Sequence, residues 1–147
     1  MKKVNPLHLD EQLCFALYSS SRLVVQAYDV HLKELGITYP QFLVLSALWQ
    51  VAYAACSVKQ IGRSLHLDSG TLSPLLKKLQ VKGLIKKIRS MDDERVVSIE
   101  LTLAGKNMQK KAIKIPQQIF CKLEMEEKQV ANLRRQLQTL TQVLTKN

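Results

Sequence analysis

The sequence predicts a mainly α-helical fold with a small β-hairpin wing, and three observations carry that reading. Apolar residues recur at helical spacing through most of the chain. Cap residues followed three positions later by Gln, and glycines just past the periodic runs, mark successive helix starts and stops. Only between Ile85 and Leu101 does the period fall to two, around a polar turn.

The first helix is expected from about Leu9 to Leu35, on the stripe Leu13, Leu17, Val24, Tyr28 and Leu35, with Gly36 ending it. Thr38 and Gln41 form a capping-box pattern, and Pro40 sits in the first turn of a second helix running to about Trp49 or Val51. A loop through Ala54 and Cys56 follows. Ser57 with Gln60 repeats the capping pattern and opens a short helix to His66. Asp68 and Ser69 cap a fourth helix, about Gly70 to Lys82, which Gly83 ends. Strands are expected at Ile85 to Arg89 and Val96 to Leu101, joined by the turn Ser90-Met91-Asp92-Asp93-Glu94. Thr102 caps a fifth helix to about Cys121 with a break at Pro116, and a last helix covers Glu126 to Leu144.

Helix, turn, recognition-length helix and hairpin, in that order, make a winged helix-turn-helix. Residues 57–101 would form that lobe within a single domain of 1–147. The flanking segments 9–36 and 102–145 are too long and too apolar to stand alone, and are expected to bury their stripes against a second copy as a helical dimerisation domain.

Composition narrows the function. At 46% hydrophobic and 23% charged the 147 residues are those of an ordinary soluble protein, which excludes disorder and collagen-like fibre. Aromatics at 5% count against an aromatic-caged ligand pocket. Twenty-two Lys and Arg against 12 Asp and Glu give a net charge of +10, which favours nucleic acid or an anionic membrane surface as partner. Three cysteines, at 14, 56 and 121, do not make a disulfide framework, so a cytoplasmic protein with reduced thiols is expected.

The start, MKKVNPLHLDEQ, meets Asp10 and Glu11 before any apolar core, so no secretory leader is expected. Ile37 to Val58 is uncharged and nearly long enough to cross a bilayer. It holds Thr38, Pro40, Gln41, Ser46, Gln50 and Ser57, however, so a buried helix explains it and no membrane partner is expected. His8, His31 and His66 do not cluster with cysteines at ligand spacing, and no Gly-rich phosphate loop is present. No metal or cofactor is therefore expected.

The charge is uneven. From Ser69 to Met91 there are six cations (Lys77, Lys78, Lys82, Lys86, Lys87 and Arg89) and no acid. A solvated face on a basic protein would look the same in isolation; coincidence with the recognition helix and the wing favours double-stranded DNA. Gly70, Thr71 and Ser73 would then present small polar groups to base edges. Lys77 and Lys78 would contact phosphates, with Lys87 and Arg89 extending the basic surface onto the wing. Pro74 removes a hydrogen bond near the helix start. Arg95 follows Asp92, Asp93 and Glu94 at the hairpin tip. It is either in a surface ion pair, worth about 0–1 kcal/mol, or aimed into a narrow minor groove, its direction fixed by Asp93.

Cys14 has two readings. On an amphipathic helix a cysteine is commonly a small buried hydrophobe. Yet at about 100° per residue Tyr18 and Tyr28 fall within about 40° of it, on one stripe. Tyr28 is about 21 Å away along that helix, so any contact with Cys14 must come from another chain. A phenol donating to a thiolate stabilises the nucleophile that peroxides oxidise.

The segments LDEQLCFALYSSSR (9–22), LGITYPQFLVLSALW (35–49), SVKQIGRSLHLDSGTLSPLLKKL (57–79) and RSMDDERVVSIELT (89–102) resemble the MarR family of winged-helix regulators, in its organic-hydroperoxide-sensing OhrR type. The similarity runs in register over almost the whole chain. It implies a homodimer that binds a roughly palindromic operator and represses a peroxidase gene until oxidised by an organic hydroperoxide. By motif, Cys14 in QLCFALYS matches the sensing cysteine. Tyr28 and Tyr39 match tyrosines that hold its thiolate from the partner subunit. Asp93 and Arg95 match the wing pair, and Gly70 to Lys77 lie on the recognition helix. Cys121, in QIFC, resembles the resolving cysteine of the two-cysteine subgroup; its other reading is a buried structural thiol. The loop Gln50 to Cys56 is longer than is usual in the family, and Cys56 is most simply an incidental loop thiol.

The leading expectation is a peroxide-responsive repressor. A broader thiol-based or ligand-responsive regulator stays open beside it. A thiol peroxidase using Cys14 and Cys121 is disfavoured, since an enzyme has no use for a wing and a basic recognition helix.

Overall fold

The structure is a computed structural model and describes residues 5–52, 54–89 and 96–146. The described elements are α1 (Leu13–Leu32), α2 (Tyr39–Gln50), β1 (Cys56–Ser57), α3 (Val58–Leu65), α4 (Ser69–Val81), β2 (Ile85–Arg89), β3 (Val97–Leu101), α5 (Leu103–Ala112), α6 (Ile115–Lys122) and α7 (Glu127–Thr145). The chain divides into two compact units, Met1–Ile115 and Pro116–Asn147.

In the first unit the expected long first helix is cut at both ends. Leu9–Glu11 is a separate 3-10 turn, because the Glu11 carboxylate accepts from the Asn5 amide and the Gln12 side chain donates to the Pro6 carbonyl. Gln12 is consequently extended, and α1 starts only at Leu13. At the other end Lys33–Leu35 tightens to a 3-10 turn, and Gly36 takes the left-handed conformation at φ 68° that ends it.

The Gln41 side chain accepts from the Thr38 amide at 3.1 Å, so α2 opens as its capping pattern predicts. Ser57 and Gln60 cap α3 reciprocally, at 3.2 and 2.9 Å. The core of this unit is aliphatic: Leu32, Val44, Leu45, Leu48, Ile61, Leu72, Leu76, Leu79 and Ile99 are all buried. Between α3 and α4 the chain turns sharply. His66 is left-handed, and a Cβ on Gly62 would come within 2.9 Å of the Leu67 carbonyl, so this close approach requires glycine.

The expected hairpin is present, and Cys56–Ser57 adds a third strand to it. The antiparallel order is β1-β3-β2, with Cys56 opposite Ile99 and Lys86 opposite Glu100. Cys56 is therefore a buried strand residue, which corrects its reading as an incidental loop thiol. The cause is position: it pairs with the innermost residue of β3. The turn Ser90 to Glu94 and the wing pair Asp93 and Arg95 lie outside the described residues.

Four hydrogen bonds gather where α4, the sheet and α5 meet. The Thr102 hydroxyl donates to the Gly83 carbonyl at 2.6 Å and accepts from the Gly105 amide at 3.1 Å. The Thr102 amide donates to Leu84, and the Trp49 indole donates to the Gly105 carbonyl, both at 3.1 Å. A Cβ on Gly105 would lie 2.1 Å from the Leu84 carbonyl oxygen.

The fifth helix stops earlier than expected, at Ala112, and α6 restarts at Ile115. Pro116 has no N–H to give the Ala112 carbonyl, and fits without loss in the first turn of a new helix. In the second unit Glu126 and Gln129 form a capping box ahead of α7. Among the described residues no helix is long and apolar enough to cross a membrane.

Candidate functional site

The first candidate surface is α4. Its inward side is fixed by Leu72, Leu76 and Leu79, all buried. At about 100° per residue the opposite side is centred on Pro74, with Gly70, Thr71, Lys77 and Lys78 within about 60° of it and Ser73 about 100° round. All of these residues are exposed. The proline that breaks a sequence rule thus sits in the middle of the exposed face.

The helix is held at its start by Asp68. One carboxylate oxygen accepts from the Thr71 amide at 2.8 Å, and the other accepts from the Thr71 hydroxyl at 2.9 Å. These two bonds, the amide first, hold the Asp68 carboxyl below the usual carboxylate range. The sequence marks Asp68 only as a cap; the Asp-x-x-Thr spacing is the signal for its grip on the Thr71 hydroxyl.

On β2 the basic residues divide by face. Lys86 lies opposite Glu100 and pairs with it at 3.0 Å. Lys87 and Arg89, on the alternate face opposite Ile99 and Val97, are exposed. Lys82, also in the basic run, donates to the Gly36 carbonyl and so ties α4 to the end of α1. Beside this surface a cavity of about 900 Å³ is lined by Lys59, Arg63, His66 and Leu72 among others.

The second candidate site concerns the thiols. Cys14 is the second residue of α1 and is exposed. Tyr28, near the other end of the same helix, packs on Tyr39 with ring centroids 4.8 Å apart. Phe42 backs both rings, at 5.7 and 6.2 Å, and meets Trp49 at 6.1 Å. Burial, and then the neighbouring Tyr39, pushes the Tyr28 phenol above its ordinary value; burial does the same to Tyr39. Both phenols hold their protons at neutral pH and can donate.

Tyr18 does not join them. It is 60% exposed, with the Arg22 guanidinium 5.6 Å from its ring centre. Within one chain α1 separates Cys14 from Tyr28 by about 21 Å. Cys121, on α6, is exposed, whereas the Cys56 thiol is buried, donates to Gln60 at 3.8 Å and is pushed up by that burial. Among the described residues no three His, Cys, Asp or Glu side chains are grouped to hold a metal ion.

Residues 26–115 match the transcriptional regulator SarA/Rot family. The chain is 42% identical over 142 residues to the organic hydroperoxide resistance transcriptional regulator of Bacillus subtilis strain 168, covering 97% of this chain and 95% of that one. Among solved structures it is similar to reduced AbfR bound to DNA, with a TM-score of 0.75 and 35% identity over 92% of this chain and 93% of that one. AbfR is a Staphylococcus epidermidis protein. Disulfide-formed AbfR is similar too, with a TM-score of 0.63 and 37% identity over 90% and 92% of the two chains.

Proposed function

This chain belongs to the SarA/Rot family of MarR-like winged-helix transcriptional regulators, and on that premise we propose that it is a homodimeric DNA-binding repressor that senses organic hydroperoxides through Cys14 and leaves its operator when oxidised. The observation that carries this reading is the division of one helix between two halves of a thiol site. An exposed cysteine stands at one end of α1, and a pair of proton-bearing phenols stands at the other. Two copies with α1 antiparallel bring the tyrosines of one to the cysteine of the other. Exposed apolar residues on α1, among them Leu13, Leu23 and Val30, and in the second unit on α7, Leu133 and Val143, are consistent with burial of both helices against a second copy.

The chemistry balances within named groups. The Cys14 thiolate attacks the outer oxygen of a hydroperoxide, the O–O bond breaks, and a proton passes to the leaving oxygen. The peroxide is reduced by two electrons to an alcohol, and the sulfur is oxidised to a sulfenic acid. A Cys121 thiol, preferably from the other subunit, then displaces the sulfenic oxygen as water and forms a disulfide. Tyr28 and Tyr39 position the thiolate by donating to it. Tyr18 serves this site less directly, since its ring faces solvent and Arg22.

DNA is met in the major groove by α4, with Gly70, Thr71 and Ser73 at base edges and Lys77 and Lys78 at phosphates. Lys87 and Arg89, with Arg95 directed by Asp93, serve the wing. A regulator of this kind works where the DNA is, in the cytoplasm. The relatives are transcriptional regulators, and a sensor of this kind consumes about one peroxide per Cys14 rather than turning over. The similarity to a DNA-bound reduced protein and to its disulfide form supports the cycle. The deciding experiment is a mobility shift on DNA upstream of the protein's own gene, with and without an organic hydroperoxide. Retention of the shift after oxidation would refute the sensing role.

A second reading, response to a bound organic anion, is favoured only by the cavity rimmed by Lys59, Arg63 and His66. Release by such a ligand from Cys14→Ser protein would select it.

A further inference from the structure

A hydroxyl has a single proton to give. At Thr71 that proton is directed 2.9 Å away to Asp68, whose ionised carboxylate can only accept. The second Asp68 oxygen is held by the Thr71 amide at 2.8 Å, so the carboxylate is gripped on both sides. Gly70 keeps the space for this: a Cβ there would come within 3.0 Å of the Asp68 Oδ1 atom. The same two bonds hold the Asp68 carboxyl below the usual carboxylate range. What Thr71 keeps for a partner is oxygen lone pairs and a methyl group.

We infer that Asp68 fixes the hydrogen-bond polarity of Thr71, so that the start of α4 selects an exocyclic amino group, adenine N6 or cytosine N4, over a keto oxygen in the major groove. This rests on the DNA-binding reading above and deepens it. In the major groove adenine and cytosine offer N–H at the positions where guanine and thymine offer oxygen. An acceptor facing a keto oxygen leaves both groups unpaired in a desolvated interface. Asp68 is a positioning residue: it acts on base choice through Thr71.

The test is selection from a randomised operator library by the full-length wild type, Thr71→Val, Thr71→Ser and Asp68→Asn. Asparagine remains a good helix cap. Its amide N–H can donate to the Thr71 oxygen, which frees the hydroxyl proton for DNA. One position per half-site is expected to lose selectivity in Thr71→Val and keep it in Thr71→Ser. At that position the wild type prefers adenine or cytosine by roughly tenfold, the scale of one mismatched pair. Asp68→Asn should abolish that preference or turn it toward guanine or thymine, with the other positions unchanged. Cooperative thermal unfolding and wild-type far-UV circular dichroism of all four proteins show that the variants are folded.

A keto preference in the wild type, an amino preference that survives in Asp68→Asn, or no position sensitive to Thr71→Val would each overturn the inference. Absence of any sequence selectivity in the wild type would instead overturn the regulator reading beneath it.

Discussion

Salt dependence offers the sharpest measure of the proposed DNA surface, because all six cations of the basic run are exposed but two of them are held by protein groups. Lys82 is tied to the Gly36 carbonyl and Lys86 to Glu100. Lys77, Lys78, Lys87 and Arg89 are exposed on α4 and on one face of β2. Four cations in each of two subunits would neutralise about eight phosphates, giving a slope of log affinity against log salt of about −7. From about 50 to about 200 mM salt, affinity then falls by about 10⁴. Lys87→Ala removes one contact per subunit and should make the slope shallower by about 2. Lys86→Ala, on the opposite face of the same strand, should leave it nearly unchanged. Fluorescence anisotropy titrations with a labelled operator across this salt range measure both. A wild-type slope shallower than about −3, or equal effects of the two lysine variants, would refute this assignment of the surface.

Other outcomes follow from the thiol site and the core. Cys14→Ser should bind DNA as the wild type does and no longer release it with hydroperoxide; release at the same dose would remove Cys14 from the sensing role. Tyr28→Phe and Tyr39→Phe should each slow Cys14 oxidation, followed by a sulfenic-acid probe, while unaltered rates would show that the phenols do not serve the thiol. Hydroperoxide should convert the protein to a crosslinked dimer on non-reducing gels, reversed by dithiothreitol. Cys121→Ser should lose that band and Cys56→Ser keep it, since Cys56 is buried in β1; the opposite pattern would move the resolving role to Cys56. Gly105→Ala should destabilise the fold by about 3 kcal/mol or more in urea unfolding, at or above the usual range for overpacking, because the added carbon meets backbone rather than a yielding side chain. A loss under about 1 kcal/mol would show that the junction has slack.

The sequence carried the helices well because their ends are set by local chemistry. Thr38 with Gln41, Ser57 with Gln60, Asp68, Thr102 and Gly36 each act within a few residues of themselves, and spacing alone reveals them. The third strand was not legible. Cys56–Ser57 is too short for a period, and its existence depends on β3, about forty residues later. The same limit applies to Tyr18. Helical arithmetic places it on the stripe with Cys14 and Tyr28, but the ring that meets Tyr28 comes from another helix, at Tyr39. The resemblance, and not the periodicity, pointed to that tyrosine. For Pro74 the sequence exposed the broken rule, and only Leu72, Leu76 and Leu79, by fixing which way α4 faces, show that it lies on the exposed side.

The knot of bonds around Thr102 and Gly105 leaves no play between the carboxyl end of α4 and the amino end of α5. Thr102 holds Gly83 and Leu84, Trp49 holds Gly105, and the backbone at Leu84 fills the space where a side chain would give clearance. These bonds couple the first turn of α5 to the carboxyl end of α4, and a tilt of a few degrees at that end displaces the amino end, about 20 Å away along the 13 residues of the helix, by an ångström or more.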